Sequence, residues 1–181
     1  MKKSTEVGYP LKLETSRLLL RPNVERDIDH WTRFMSSEAC LEYFPAYQQG
    51  NPEDHATKWI EKQIGNYDAG KYGMLSVIEK DTGAYVGQCG LLHQSIDGAE
   101  ELEIGYSLLH HMWGKGYATE AGLALKNWAF DHQLVPSLIS IIHRDNDGSK
   151  KVAKRLGMTM EKELTWKELP ISIYRVFDNE T

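Results

Sequence analysis

Cysteine is scarce in this chain of 181 residues: Cys40 and Cys89 are the only two, and neither belongs to a CxxC pair. They could form one disulfide, but two free thiols in a cytosolic protein is the expected state. Long apolar runs are missing as well. None approaches the length of a membrane span, and Lys2 and Lys3 are followed by no apolar stretch, so neither a spanning helix nor a signal peptide is expected. Positive charge is not in excess: 21 Lys and Arg face 26 Asp and Glu, for a net charge of −5. General binding to DNA or RNA rests on neutralising phosphates, so no nucleic-acid partner is expected. A basic pocket for one phosphorylated cofactor remains compatible with that charge. No HExxH is present, and the adjacent His110 and His111 do not converge on one zinc, so no metal site is expected. Without GxSxG, a serine hydrolase is not expected either. Internal repeats and low-complexity segments are also lacking.

What is present is a globular composition, 41% apolar and 26% charged, at a length that suits one domain with a buried core. We expect a short extension over residues 1–12 and a single domain over 13–178. Residues 17–21 form a short apolar run ended by Pro22, which reads as a first strand. Asn23 is placed to cap a helix carrying Ile28, Trp31, Phe34 and Met35 at helical spacing. Turn formers fill 45–52, and Pro52 suits the first turn of a second helix with Ala56, Trp59, Ile60 and Ile64 on one face. Strands are expected over 72–78, 84–92 and 102–109. Turn signals at Asp81-Thr82-Gly83 and Asp97-Gly98 separate them, so the three make an antiparallel meander. A helix with Ala118, Ala121, Leu125, Trp128 and Ala129 on one face follows, then a strand over 138–142. Asn146 can cap the next helix and Gly157 can end it, before strands that close with Ile171, Ile173 and Phe177. The order is strand, two helices, meander, helix, strand, helix, strands: a mixed α/β chain with a mostly antiparallel first half.

The segment His111-Met112-Trp113-Gly114-Lys115-Gly116-Tyr117-Ala118-Thr119-Glu120-Ala121 joins a predicted strand to a predicted helix. Its glycines let backbone approach a ligand closely. A helix's opening turn offers unpaired N–H groups and partial positive charge, which together suit a pyrophosphate. A dinucleotide fingerprint would need a small residue where Thr119 stands and a βαβ unit, whereas a meander precedes this loop. A P-loop would need GxxxxGK followed by Ser or Thr, which is absent.

The segment resembles motif A of the GNAT acetyltransferase superfamily, Gln/Arg-x-x-Gly-x-Gly/Ala, at Trp113, Gly116 and Ala118. Trp113 departs from Gln or Arg, but Trp-Gly-Lys-Gly-Tyr-Ala-Thr-Glu-Ala is similar to the RimJ/RimL branch. Leu13-Glu14-Thr15-Ser16-Arg17-Leu18-Leu19-Leu20-Arg21-Pro22 resembles that branch's first strand, and Glu103-Ile104-Gly105-Tyr106 its fourth. Asn146-x-x-Ser149 followed by Leu156-Gly157-Met158 resembles motif B. The resemblance covers about residues 13–177. It implies a GNAT fold, with a mixed, mostly antiparallel sheet flanked by helices. It implies acetyl-CoA as co-substrate and an amine acceptor.

By the same resemblance, backbone amides of Trp113, Gly114, Lys115, Gly116, Tyr117, Ala118 and Thr119 hold the cofactor pyrophosphate. Backbone groups at Leu108 and His110 pair with the pantetheine arm like an added strand, and Asn146 hydrogen-bonds that arm. Lys151 either reaches a cofactor phosphate or is a solvated helix lysine. Many members carry a Tyr acid seven residues after the motif B Asn; here that position is Ala153. Ser149 is the substitute acid by analogy with the RimL branch, with water as the alternative.

The chemistry demands a base, because only a deprotonated amine attacks a thioester, and α-amines and lysines have pKa values near ~8 and ~10. Glu103, on the strand beside the expected thioester, is the candidate, and Glu101 shares its face by period-two alternation. A backbone N–H near Leu108 would serve as oxyanion donor. Trp31 and Trp59 are expected in the core, whereas Tyr43, Phe44 and Tyr47 could touch an acceptor. The resemblance favours the α-amine of a protein N-terminus. A polyamine, antibiotic or amino-acid acceptor is the alternative, the polyamine drawing on Glu38, Glu42, Glu53 and Asp54. A catalytically silent acyl-CoA-binding domain is a third reading, opposed by Glu103 and Ser149. A cytoplasmic protein, monomeric or homodimeric, is expected.

Overall fold

A computed structural model describes Tyr9 and residues 12–178. Eight strands form one sheet: β1 (Leu13–Glu14), β2 (Leu18–Pro22), β3 (Met74–Glu79), β4 (Tyr85–Ile96), β5 (Ala99–Leu108), β6 (Ser137–His143), β7 (Thr159–Trp166) and β8 (Leu169–Phe177). Their spatial order is β1-β2-β3-β4-β5-β6-β8-β7. Strands β1 to β5 are successive antiparallel neighbours, β6–β8 and β8–β7 are antiparallel, and β5–β6 alone is parallel. The helices are α1 (Asp27–Met35), α2 (Glu38–Leu41), α3 (Pro52–Asp68), α4 (Tyr117–Asp131) and α5 (Asp147–Arg155). Among the described residues no helix is long and apolar enough to cross a membrane.

Alternation along the strands splits the sheet into two faces. Leu18, Leu20, Leu75, Val77, Leu91, Leu102 and Ile104 are buried in the main core with Ala121, Leu125 and Ala129 of α4. At ~25 cal/mol per Å2 of apolar area removed from water, burial of this kind is the main favourable term in folding. Helices α1 and α3 pack together over the opposite face near β2 and β4. Further along that face a satellite cluster forms from Ile96, Ile139, Ile171 and Ile173, with Leu164, Trp166 and Leu169 against it.

The meander stands as expected, with its second and third strands longer and its first starting later, at Met74. Because β4 runs to Ile96 and β5 starts at Ala99, the turn between them is Asp97-Gly98 alone, both with positive φ. Helix α3 starts as expected at Pro52, and Asn51 caps it by accepting from the Glu53 and Asp54 amides. Asn23 does not cap α1. It is 2% exposed, and its side-chain amide donates to the Met74 carbonyl (2.7 Å) and the Tyr67 hydroxyl (3.0 Å). Its Oδ1 accepts from Gln88 (3.0 Å) and lies 2.7 Å from the Ser76 hydroxyl, which is also 2.9 Å from Asp27. Arg21 forks onto Asp27 at 2.7 and 2.8 Å. Burial alone would raise the Asp27 pKa, but Arg21 and the Val24 amide hold it below the usual range. This satisfied polar layer under α1 and α3 outcompetes the local capping role, since a buried amide left unpaired is costly.

Candidate active site

Strands β5 and β6 share a single paired position, Glu103↔Ile139. The β4–β5 ladder, by contrast, continues to Gly87↔Leu108. Beyond Glu103, therefore, β5 keeps one neighbour while its other edge opens toward β6. An open edge of N–H and C=O groups can accept an extended chain as an added strand. Two side chains bridge the opening: the Ser140 hydroxyl donates to the Ile104 carbonyl (2.8 Å), and the Tyr106 hydroxyl donates to the Ser149 carbonyl (2.8 Å).

The loop after β5 turns through His110–Met112 and reaches α4 by way of Gly114 and Gly116, with φ of 77° and 80°. Side-chain-bearing residues adopt such φ values at a cost, which accounts for both glycines. Gly116 stands at the cap position of α4 and offers no side chain to its first amides. The N–H groups of Tyr117, Ala118 and Thr119 thus lack intrahelical acceptors and make an anion site at the end of a 15-residue helix. Thr119 also has a buried hydroxyl with no partner among the described residues. Glu120, in the same turn, accepts from Thr15 (2.5 Å), Ser16 (3.1 Å), the Arg17 amide (2.9 Å) and the Arg17 Nε (2.7 Å). Burial alone would raise its pKa, but those donors hold it at about 2. Sequence reasoning had both segments as separate motifs and missed that they meet.

Glu103 is 8% exposed on β5, and its carboxylate accepts from the Gln94 side chain at 2.7 Å. Burial pushes its pKa up to about 7, against the opposing pull of Gln94, the Ile141 backbone and the charge of Lys167. Glu101 shares that face but is bound by Arg175 at 2.7 and 3.0 Å. Asn146 caps α5, its Oδ1 accepting from the Ser149 amide at 2.9 Å. The Ser149 hydroxyl is half-buried and has no partner among the described residues. Ala153 is fully buried, and the nearby phenol is Tyr106, kept protonated by burial.

Leu108 is buried, and its carbonyl accepts from the Trp113 indole (2.8 Å) and lies 3.7 Å from the Cys40 thiol. Trp113 is 47% exposed and meets His110 edge-on at 4.7 Å. Lys151 is exposed and has no carboxylate partner among the described residues. Cys40 and Cys89 are both free, as expected.

On the Glu103 face, the α1–α3 layer reaches across to the loop after β6. The Tyr43 ring stacks on His143 (5.0 Å), and its hydroxyl donates to the Asp145 carbonyl (3.2 Å). Phe44 is exposed beside it, whereas Trp31 is 1% exposed and stacked on Phe34, as expected of a core residue.

Residues 17–159 match the acetyltransferase (GNAT) domain family. The uncharacterized protein YkkB of Bacillus subtilis is 27% identical over 164 residues, 90% of this chain and 94% of YkkB. An acetyltransferase from Agrobacterium tumefaciens is 28% identical, with a TM-score of 0.77 and coverage of 97% of this chain and 99% of that one. RimL, a ribosomal α-N-protein acetyltransferase solved with coenzyme A, shares the fold at 18% identity, with a TM-score of 0.75 and coverage of 92% and 98%. The open β5 edge and the glycine-shaped helix N-terminus thus stand on a GNAT fold, and the chain belongs to the GNAT family of acetyl-CoA-dependent N-acetyltransferases.

Proposed function

We propose that this enzyme acetylates the α-amine of a protein N-terminus, by direct attack in a ternary complex with Glu103 as the base. The burial of Glu103, with its pKa at about 7, carries the reading. Proton transfer from an α-ammonium of pKa near ~8 to such a carboxylate is uphill by about one unit; from a lysine near ~10.4 it is uphill by more than three. Glu101 is the less available carboxylate, because the Arg175 fork occupies both of its oxygens. RimL acts on the same class of acceptor, which supports the reading. The acidic residues that would mark a polyamine pocket give it little support. Glu38, Glu53 and Asp54 stand exposed in the first turns of α2 and α3, where they complement the helix dipoles.

The remaining residues take roles that fit their surroundings. The amides from Trp113 to Thr119 hold the pyrophosphate, and the β5 edge at Leu108 and His110 pairs with the pantetheine arm. For the Leu108 carbonyl to serve, the Trp113 indole turns aside. The Asn146 oxygen is committed to its cap, which leaves its NH2 group for the arm. Lys151 reaches a phosphate. Ser149, with an uncommitted hydroxyl, protonates the departing thiolate, and a backbone N–H near Leu108 holds the oxyanion.

Calorimetric titration with acetyl-CoA, with NADH as control, is expected to show micromolar binding, about −8 kcal/mol, and no NADH response. Peptides with a free N-terminus are then expected to be acetylated. N-terminally blocked peptides with an internal lysine, and spermidine, are expected not to be. Spermidine turnover without peptide turnover would replace the proposed acceptor by a small molecule, and absence of acetyl-CoA binding would remove the cofactor placement itself.

A further inference from the structure

The glycine loop is exposed from Trp113 to Gly116, and two of its residues sit in the left-handed region. Within the loop, Met112 is buried, the Trp113 indole holds Leu108 and its ring meets His110, and the Lys115 ammonium lies 3.7 Å from Met112 Sδ. A further restraint comes from the other end of the chain. Arg17, 98 residues before Lys115, donates from Nη1 to the Lys115 carbonyl at 3.0 Å. Its Nε donates to Glu120 in the first turn of α4 at 2.7 Å, and its guanidinium lies over the Tyr117 ring, 4.6 Å from the centroid. Contact is close enough that a Cβ added at Gly116 would stand 3.4 Å from Arg17 Nη2. Arg17 is itself held at the entry to β2, where the Thr15 amide donates to the Leu18 carbonyl and the Leu18 amide to the Thr15 hydroxyl, both at 2.9 Å.

The geometry dictates what this clamp does. Peptide units are planar and trans, so a carbonyl and the following N–H point in opposite directions. With the Lys115 carbonyl turned onto Arg17, the Gly116 N–H is turned away from it. The Nε of the same guanidinium joins Thr15, Ser16 and the Arg17 amide in holding Glu120, in the first turn of α4. We infer that Arg17 is a positioning residue for cofactor binding, which holds the glycine loop with its amides presented to the pyrophosphate without touching the ligand. The inference rests on the cofactor placement proposed above. A loop that keeps this conformation only part of the time binds more weakly by that fraction. Lysine cannot replace Arg17, because one ammonium cannot supply the two fixed donors that span Lys115 and Glu120.

Acetyl-CoA affinity of the wild type, Arg17→Lys, Arg17→Met and Glu120→Gln, measured by titration calorimetry, tests this, together with thermal melts and steady-state kinetics. Both Arg17 variants are expected to weaken acetyl-CoA binding by about tenfold or more, while kcat at saturating acetyl-CoA and KM for the peptide stay within about twofold. Glu120→Gln is expected to weaken it in the same direction. Should Arg17→Met fail to fold, Arg17→Lys decides alone, since it keeps charge and stem. Wild-type affinity in Arg17→Lys, or a fall in kcat with unchanged affinity, overturns the clamp while leaving the cofactor placement intact. A wild-type protein that binds no acetyl-CoA overturns the placement and the clamp together.

Discussion

A carboxyl group that loses water on folding resists ionisation, and Glu103 shows the consequence for both stability and rate. Its pKa rises from an ordinary 4.5 to about 7. Between those values the folded state binds the proton more tightly than the unfolded state. Stability is therefore highest below the ordinary value and declines as pH rises through 7, by on the order of 3 kcal/mol for the full shift. Glu103→Gln removes that loss. Chemical denaturation is expected to find the variant as stable as wild type near pH 4 and more stable at pH 8. The same variant is expected to lose about 100-fold in kcat with acetyl-CoA affinity retained, and to lose the rise in kcat through pH 7. Unchanged activity would remove Glu103 as the base. Strand alternation alone puts Glu103 and Glu101 on one face, but their difference is not legible in the sequence. It depends on Gln94 and Arg175, which reach those two carboxylates only in the folded sheet. Asn23 was misread for a related reason: an Asn before a helix resembles a cap, and only the fold supplies Met74, Ser76 and Gln88 as competing partners.

Elements were legible where period and turn chemistry agreed, as in the β3–β4–β5 meander, and obscure where they did not. Strand β7 carries Glu161, Lys162 and Glu163 in succession, which hides its alternation. Such charge suits a sheet edge, where it discourages pairing with other chains. Its turn into β8 is equally unmarked. Trp166 pairs with Leu169, and Lys167 and Glu168 between them take φ of 48° and 67°, values expected of Asn-Gly. Lys167 is held over the Trp166 ring at 3.9 Å, and the Trp166 indole donates to the Ser95 carbonyl at 3.3 Å, so the tip docks beside β4 despite its strain. Glu168→Gly is expected to stabilise the protein by about 0.5–1 kcal/mol, read as a higher denaturation midpoint at unchanged slope. A lower midpoint would mean that the Glu168 side chain contributes more than its backbone costs. Tyr106→Phe removes the tie from β5 to the first turn of α5 and is expected to cost about 1 kcal/mol in the same measurement.

At the scale of the molecule, the sheet order and the junction of its halves were not legible from composition or spacing; the resemblance alone implied a mixed sheet. The junction rests on one paired position, Glu103↔Ile139, and an occupied cleft would add strand-like contacts where the halves part. Acetyl-CoA at 100-fold over its dissociation constant is expected to stabilise the protein by about 2.7 kcal/mol. It is also expected to slow amide hydrogen exchange at 105–108 and in the first turn of α4, but not in β1–β3. Uniform protection across the sheet would argue that the cofactor does not enter between β5 and β6. The same single junction bears on synthesis. When residue 108 has left the ribosome, β1 to β5 can already pair, because each is the antiparallel neighbour of the one before it. Until Ser137–His143 follows, the β5 edge waits without its neighbour, a state in which nascent chains find one another. Glu100, Glu101 and Glu103 lie along that edge. In the finished enzyme Glu103 is held by Gln94 and Glu101 by Arg175; in the growing chain all three are like charges that oppose the addition of one nascent sheet to the next.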